Sequence, residues 1–475
     1  MRFEVLQKIF NTASPSSHLS YLLSPISIKT MDSTRREFIK KSILAGVATS
    51  FSASSYAKII GSNDRVRVAC VGFSDRHKFS HVPPFKDLMK SMNFEMVAVS
   101  DIWNRRREEG KAFLEKQLGG TITAFKNNDE LYASKIADAV FISTADFQHA
   151  LHTIEAVNAG CDAYTEKPLA ETMEDARAVL KAVKNSNKIV QIGSQRRSGE
   201  NYFAAEEFIK SGKFGPIVMV ELMWNVNQPG RWRRPELVKN LKESDVDWKR
   251  FLMNRPYEEF DPRKYLEYRL FWPYSSGIPG QWMSHQIDTV HWFSGLPHPR
   301  SVVANGGIYQ WKDGRKNADT LTVVFDYGPL NDPTSGFQVQ FTSRFSNSAG
   351  ETKELYYSNA GLINLDTNQI TPTGGLRDFE AAAMGMSPNL LPTLKLEGAK
   401  VESGANTGGD VLTYNHVKNW MECVRSRKTP NAPIEAGYQH SIANIMANAA
   451  YRTGLKVTFD EKTQDVMAGN QAFKY

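Results

Sequence analysis

Lys167 is the residue with the plainest chemistry. It stands in Ala163-Tyr164-Thr165-Glu166-Lys167-Pro168-Leu169, where an apolar β-type run ends in a carboxylate, an ammonium and a proline. The carboxyl edge of a parallel sheet is where ligands bind. An ammonium there can polarise a hydroxyl or carbonyl and stabilise alkoxide character during hydride transfer. Glu166 would orient that lysine or a ribose, and Pro168 sets the exit of the chain, where a cis bond is tolerated. A second group of residues suits a dinucleotide. Val71-Gly72-Phe73-Ser74-Asp75-Arg76-His77 keeps the first glycine of a G-x-G-x-x-G loop and has Ser74 and His77 at the other two. Gly72 can make the tight turn, Ser74 narrows the approach to a pyrophosphate but adds a hydroxyl, and Arg76 adds charge. Alone, this loop fits a plain strand-to-helix turn as well. Asp101 closes the next run, Val97-Ala98-Val99-Ser100. A carboxylate there accepts from a ribose 2′-hydroxyl and repels a 2′-phosphate, which favours NAD over NADP. Arg105, Arg106 and Arg107 follow and would suit a phosphate instead. A third group is aromatic and cationic: Trp224, Arg231, Trp232, Arg233, Arg234, Tyr268, Arg269, Trp272, Tyr274 and Trp282 crowd a Gly/Pro-rich stretch. Flat apolar faces stack on pyranose rings and guanidinium groups address hydroxyls, so these residues point to a carbohydrate cleft.

Repeated βα units must position the first two groups. Residues 65–71, 94–100, 121–125, 139–143, 161–165 and 189–192 read as strands, and 84–92, 105–118, 148–159, 173–185 and 200–211 as helices between them. That alternation predicts a Rossmann domain, a doubly wound parallel sheet, over residues 58–195. After Gly215 the texture changes. Residues 216–224, 301–307, 320–326, 337–345, 352–357 and 362–370 are strand-like, with Gly/Pro/Asn turns between them. They predict a mostly antiparallel, open-faced sheet, a substrate and oligomerisation domain over residues 196–409. Residues 410–427 and 438–454 are amphipathic helices, so 410–475 should pack back on the nucleotide domain. The fold class is therefore α/β plus α+β.

In this order the motifs resemble the Gfo/Idh/MocA oxidoreductases, which include glucose–fructose oxidoreductase and inositol dehydrogenases. The resemblance covers nearly all of the chain after residue 57. Glu166-Lys167-Pro168 matches the family. Ser143-Thr144-Ala145-Asp146-Phe147-Gln148-His149 matches its T-P-(N/D)-x-x-H loop over the cofactor, with Ala145 for proline, and Gln195-Arg196-Arg197-Ser198 its strand end facing the nicotinamide. Gly280-Gln281-Trp282-Met283-Ser284-His285-Gln286-Ile287-Asp288 stands for D-x-G-x-H-x-x-D, with Gln281 for aspartate and Met283 for glycine. Residues 247–249, 271–274 and the tail from Asn415 to Gly454 resemble the exported, sugar-acting bacterial subgroup. The resemblance implies tightly bound NAD held by Gly72, Phe73, Ser74, Asp101, Thr144, Asp146, His149, Glu166, Lys167 and Gln195. It implies catalysis by Lys167, His285 and Gln281, with His285 as general base, and no metal. An aspartate at 281 would raise the basicity of His285, whereas Gln281 brings a hydrogen bond and no charge. Arg196, Trp232, Arg269, Trp272, Tyr274 and Asp288 are expected to hold the substrate. The expected activity is oxidation of a sugar or glycoside ring hydroxyl, or reduction of the ketone. One alternative is an NAD-dependent glycoside hydrolase that oxidises C3 and eliminates across C2. Another is a non-catalytic binding relative, favoured by the altered glycine loop and the missing aspartate. The open sheet face suits a homodimer or tetramer.

Composition bounds these readings. The 475 residues carry a net charge of +7, 41% hydrophobic and 23% charged residues, and three cysteines. This excludes a disordered chain and a disulfide scaffold. Much of the basic excess lies in residues 1–57, which hold seven Lys/Arg against three Asp/Glu, so a nucleic-acid partner is not expected. Ser33-Thr34-Arg35-Arg36-Glu37-Phe38-Ile39-Lys40-Lys41, with the weakly apolar run after it, reads as a twin-arginine export signal. Met31 is the expected start, cleavage is expected near Lys58, and the location is periplasmic or otherwise exported. Residues 43–51 are too short and too small-residue-rich to span a bilayer. Cys70, Cys161 and Cys423 sit in apolar surroundings and read as buried small hydrophobes.

Overall fold

A computed structural model describes residues 64–399 and 410–474; the arginine pair, the expected cleavage site and the expected start lie outside the described residues. Six strands, β1 (Val66–Val71), β2 (Phe94–Ser100), β3 (Thr123–Phe125), β4 (Ala139–Ile142), β5 (Asp162–Thr165) and β6 (Val190–Ile192), form one sheet in the order β3-β2-β1-β4-β5-β6. Every pairing in it is parallel. β4, β5 and β6 are buried along their whole length, as expected when helices cover both faces. The strand order reverses between β1 and β4, so their carboxyl ends open a crevice.

The second sheet has eleven strands: β7 (Ile217–Asn225), β8 (Ser301–Gly307), β9 (Thr320–Tyr327), β10 (Phe337–Arg344), β11 (Thr352–Ser358), β12 (Gly361–Asn364), β13 (Gln369–Thr371), β14 (Leu394–Lys395), β15 (Val457–Asp460), β16 (Asp465–Ala468) and β17 (Gln471–Ala472). Their order is β14-β13-β12-β11-β7-β10-β9-β8-β15-β16-β17, antiparallel except for β7 against β10. Burial along β9 alternates residue by residue, so one face packs and the other stays open. On the packed face Val323, Phe325, Val339 and Phe341 share an apolar cluster with Ile287, Val290 and Phe293 of the helix Ser284–Ser294 and with Ile442 and Met446 of the helix Ile434–Thr453.

Two expectations change. Residues 362–370 are the hairpin β12–β13 rather than one strand. The Asn364 side chain accepts from the Asp366 and Thr367 amides at 2.9 and 3.0 Å and closes a turn that ends the pairing. The last residues add strands as well as helices, because β15 pairs with β8 and β16 and β17 extend the sheet beyond it. The helix Val411–Ser426 does pack on the nucleotide domain, where Trp420 meets Phe141 and Phe94. All three cysteines are buried and free.

A buried ion pair ties the halves together. Arg197, in the 3-10 turn Gln195–Ser198 after β6, donates to both oxygens of Asp288 at 2.7 and 3.1 Å. Asp288 has no exposed surface, and Arg197 and His440 hold its carboxyl far below the usual range although burial opposes the charge. Arg197→Ala strands that charge, and the expected loss is about 3–5 kcal/mol of folding stability in urea titrations. The double variant with Asp288→Asn should lose less than the sum of the singles.

Candidate active site

The carboxyl ends of β1, β2, β4 and β5 open into a cleft of about 1340 Å³ that runs on to Trp224 of β7 and to the turn Pro279–Met283. Gly72 sits at its floor with φ +79°, and a Cβ there would lie 2.5 Å from Thr144 Cγ2. Only glycine serves both the backbone angle and the close approach. The Phe73 ring is buried against Phe113, so this residue offers its backbone rather than its side chain. Its N–H donates to Asp101 Oδ2 at 2.8 Å, while Asp101 Oδ1 accepts from Trp103 N–H at 2.9 Å. Each oxygen keeps an acceptor site for a ribose hydroxyl. The three arginines after Asp101 are otherwise engaged. Arg105 lies over Trp103, Arg106 pairs with Asp75 and Glu109, and Arg107 donates to the Asp101 carbonyl. Ser74 Oγ accepts from His77 N–H at 3.2 Å, and the cleft is walled by Phe73, Ser74, Asp75 and Arg76. A dinucleotide fits this floor: a cradle with no room for a side chain, a cation at the loop, and a carboxylate at the end of β2 that suits a free 2′-hydroxyl.

Towards the second sheet the polar groups become interlocked. Glu166 accepts from Arg76 at 2.9 Å and from His81 at 2.8 Å. Burial opposes its charge, yet Arg76 and His81 hold it ionised well below the usual carboxylate range. It is therefore held by partners that spacing did not reveal, and it forms no ion pair with Lys167 among the described residues. Gln195 lies 3.4 Å from Glu166 and from the Tyr164 hydroxyl. Thr144 Oγ1 meets His152 Nδ1 at 3.0 Å. The His149 ring bridges the Pro168 and Thr144 carbonyls at 2.8 and 3.2 Å, and burial lowers its pKa. The peptide between Lys167 and Pro168 is cis. Lys167 Nζ donates to the Gln281 carbonyl at 2.7 Å; burial brings its pKa down to about 7, with Arg269 and Arg76 lowering it and Glu166 and Asp146 pulling the other way.

His285 lines the same chamber with its ring 5.8 Å from that of Trp224. Burial, then the positive charges of Lys167, Arg196 and Arg76, keep its pKa well below the usual imidazole value. The Gln281 amide does not serve His285: Oε1 accepts from Arg269 Nε at 2.9 Å and Nε2 donates to Asp146 Oδ2 at 2.6 Å. Asp146, expected on the cofactor, is instead buried behind the wall between Gln281 and Ser275.

The substrate set divides. Trp232, Arg269 and Arg196 line the cleft, although Arg196 is paired with buried Glu354 of β11 and stacked over Trp224. Trp232 adopts φ +66°, a strained angle for a bulky residue, and its ring stacks on Trp282 with centroids 6.1 Å apart. Trp272, Tyr274 and Asp288 are corrections. Trp272 packs under Arg452 and against Phe473, Tyr274 is core beside Phe147 and Phe251, and Asp288 is sealed by Arg197. Spacing also missed His81, Glu354 and Glu171. His81 lies one turn beyond His77, and Glu354 immediately precedes the apolar run Leu355-Tyr356-Tyr357; those patterns were the available signals. Glu171 accepts from Ser276 beneath Gly280, and burial beside Asp146 raises its pKa to about 8.

A six-stranded parallel sheet whose fifth strand ends in Glu-Lys-Pro, facing an open-faced sheet across a dinucleotide-sized cleft, is the two-domain fold of the Gfo/Idh/MocA oxidoreductases. Residues 66–194 match the model of that group, described as "Oxidoreductase family, NAD-binding Rossmann fold". Inositol 2-dehydrogenase of Salmonella typhimurium is 32% identical over 168 residues, 34% of this chain and 48% of that protein, so the chain spans about half the length of the curated relatives it matches. The fold extends further. Myo-inositol 2-dehydrogenase from Lactobacillus plantarum superposes with a TM-score of 0.58 at 17% identity, over 83% of this chain and 100% of that one. WlbA dehydrogenase from Bordetella pertussis, solved with NADH and UDP-GlcNAcA, gives 0.58 at 17% identity over 83% and 99%.

Gly72→Ala should weaken NADH binding by roughly tenfold or more in a fluorescence titration, since strain and a clash both fall at the cradle. An unchanged far-ultraviolet spectrum would assign the loss to the site.

Proposed function

We propose that this protein is an NAD-dependent oxidoreductase that interconverts a ring hydroxyl and a ketone on a sugar or glycoside. The observation that carries the reading is Lys167: a buried ammonium with a pKa of about 7, where the dinucleotide groove meets a chamber walled by Trp232, Trp282 and His285. A general acid–base works best when its pKa lies near the operating pH. Lys167, rather than His285, meets that condition here. NAD, when bound, accepts the hydride in oxidation and returns it in reduction.

In the oxidative direction neutral Lys167 takes the hydroxyl proton at Nζ, and in reduction the ammonium gives it back. The Gln281 carbonyl, 2.7 Å from Nζ, aims the amine into the chamber. His285 stays neutral and offers the substrate a hydrogen bond beside the Trp224 ring. Asp101 accepts from the ribose, and its carboxylate selects NAD over NADP. The relatives support the substrate class, since their names refer to a cyclic polyol and a nucleotide sugar. The reading extends to export through the twin-arginine pathway and to a homo-oligomer built on the open sheet face. Changing Arg35 and Arg36 to lysine should retain the protein in the cytoplasmic fraction.

The pH dependence has a definite sign. Oxidation needs Lys167 neutral, so its kcat/KM should rise with pH below about 7 and level off above it. Reduction needs the ammonium and should fall as pH rises through the same value. Lys167→Met should cost about 10²–10⁴ in kcat and abolish that limb. A limb that survives the substitution assigns the proton transfer elsewhere.

A further inference from the structure

We infer that Glu171 is a positioning residue for Lys167: it grips the turn that carries Gln281 and so fixes the contact between the Gln281 carbonyl and Lys167 Nζ. This rests on the proposed sugar oxidoreductase and adds a residue to its machinery. Lys167 and Glu171 follow the same strand, β5, and reach one loop at two points. Lys167 Nζ donates to the Gln281 carbonyl at 2.7 Å. The Glu171 carboxyl accepts from the Ser276 N–H at 3.1 Å and from the Ser276 hydroxyl at 3.2 Å. Ser276 passes the grip on. Its Oγ accepts from Gly280 N–H at 3.0 Å, and the Gly277 carbonyl accepts from Gln281 N–H at 2.9 Å. A Cβ on Gly280 would lie 2.9 Å from Glu171 Oε1 and 3.1 Å from Pro168 Cγ. The turn is therefore seated on the carboxyl and on the proline beside Lys167. Its backbone over Pro279–Met283 is π-helical, a rare geometry that recurs at functional sites.

The segment that bears Glu171 is itself anchored. The Leu169 and Ala170 amides donate to His440 Nε2 and Ser441 Oγ of the helix Ile434–Thr453, at 3.4 and 3.3 Å. Glu171 is buried, and the charged groups that act on it are Asp146, Arg255 and Arg452. Arg255 pairs with Asp175 at 3.1 Å, and Arg452 donates to Asn448 and Asn317 at 2.9 and 2.8 Å. Burial, then the charge of Asp146, raises the Glu171 pKa to about 8. At neutral pH it is a neutral acid, so it holds the turn without adding a negative charge that would favour the ammonium of Lys167. Hydrogen bonding is then its contribution, and a glutamine presents the same pair: an oxygen for the Ser276 amide and a donor for the Ser276 hydroxyl.

The NAD-loaded protein is compared with its Glu171→Leu, Glu171→Gln and Ser276→Ala variants. Absorbance at the NADH band reads turnover of myo-inositol, methyl glucoside, methyl galactoside and methyl glucuronide. Competitive acetylation with acetic anhydride across the pH range, followed by peptide mass spectrometry, reads the titration of Lys167 without any substrate. Glu171→Leu should lower kcat by about 10- to 100-fold, with KM and NADH affinity within about threefold of wild type. The Lys167 protonation constant should rise by about tenfold, because an amine released from the carbonyl turns towards water and the charges of Glu166 and Asp146. Glu171→Gln should restore both kcat and the titration, and Ser276→Ala should fall between. Wild-type kcat and titration in Glu171→Leu overturn the positioning role, as does a Glu171→Gln variant impaired as deeply as the leucine. If Glu171→Leu does not fold, Ser276→Ala decides, and wild-type behaviour there overturns the role. Absence of NADH with every ligand overturns the oxidoreductase, while the titration of Lys167 still decides Glu171.

Discussion

The hydrogen bond from Lys167 Nζ to the Gln281 carbonyl, 2.7 Å long, crosses from the end of β5 to the turn that leads into the helix Ser284–Ser294. It joins the sheet that forms the dinucleotide crevice to the helix that covers the second sheet. The carbonyl is a dipole rather than a counter-ion, so the ammonium is oriented without being neutralised. Burial then disfavours its charge, as it does for any lysine taken from water without a full ion pair. Burial thus depresses the basicity, and the contact with the carbonyl fixes the direction.

That outcome requires the neighbouring carboxylates to be occupied. Glu166 is next to Lys167 in the chain, yet it turns to Arg76 and to His81, which a π-helical turn, His77–His81, brings to 2.8 Å. Asp146 is held by Ser275 and Gln281. Both acids act on the lysine only through space, partly offsetting burial. Free rotation of either towards Nζ would return it to an ordinary ammonium. The acid–base poise therefore belongs to the network and not to the lysine alone.

Local chemistry was the legible part. Runs of β-branched residues alternating with helical spacing set out the parallel sheet, and Gly72 and Asp101 declared themselves because a tight turn and a strand-end carboxylate have short-range signatures. Side-chain direction was not legible where partners lie far along the chain. Trp272 and Tyr274 fell within an aromatic, arginine-rich stretch, and composition cannot separate a ring that faces the cleft from one that faces the core. Asp288 matched a motif by spacing, but its environment is decided by Arg197, and that of Arg196 by Glu354. The hairpin in residues 361–371 hid for a different reason: the turn is made by the Asn364 side chain, not by a glycine or proline.

Gln281 shows how one substitution can reassign charge without removing structure. A primary amide has an acceptor at one end and donors at the other, so it can link a cation and an anion that would otherwise compete. Here its oxygen takes Arg269 and its nitrogen takes Asp146, while its backbone carbonyl orients Lys167. An aspartate has no donor when ionised; it would leave Asp146 without the donor that Gln281 Nε2 supplies at 2.6 Å. The amide at 281 and the carboxylate at 146 therefore depend on each other. Together they shift negative charge from the chamber wall to the layer behind it, which leaves Arg269 facing the cleft as a cation and His285 without an acidic hydrogen-bond partner among the described residues.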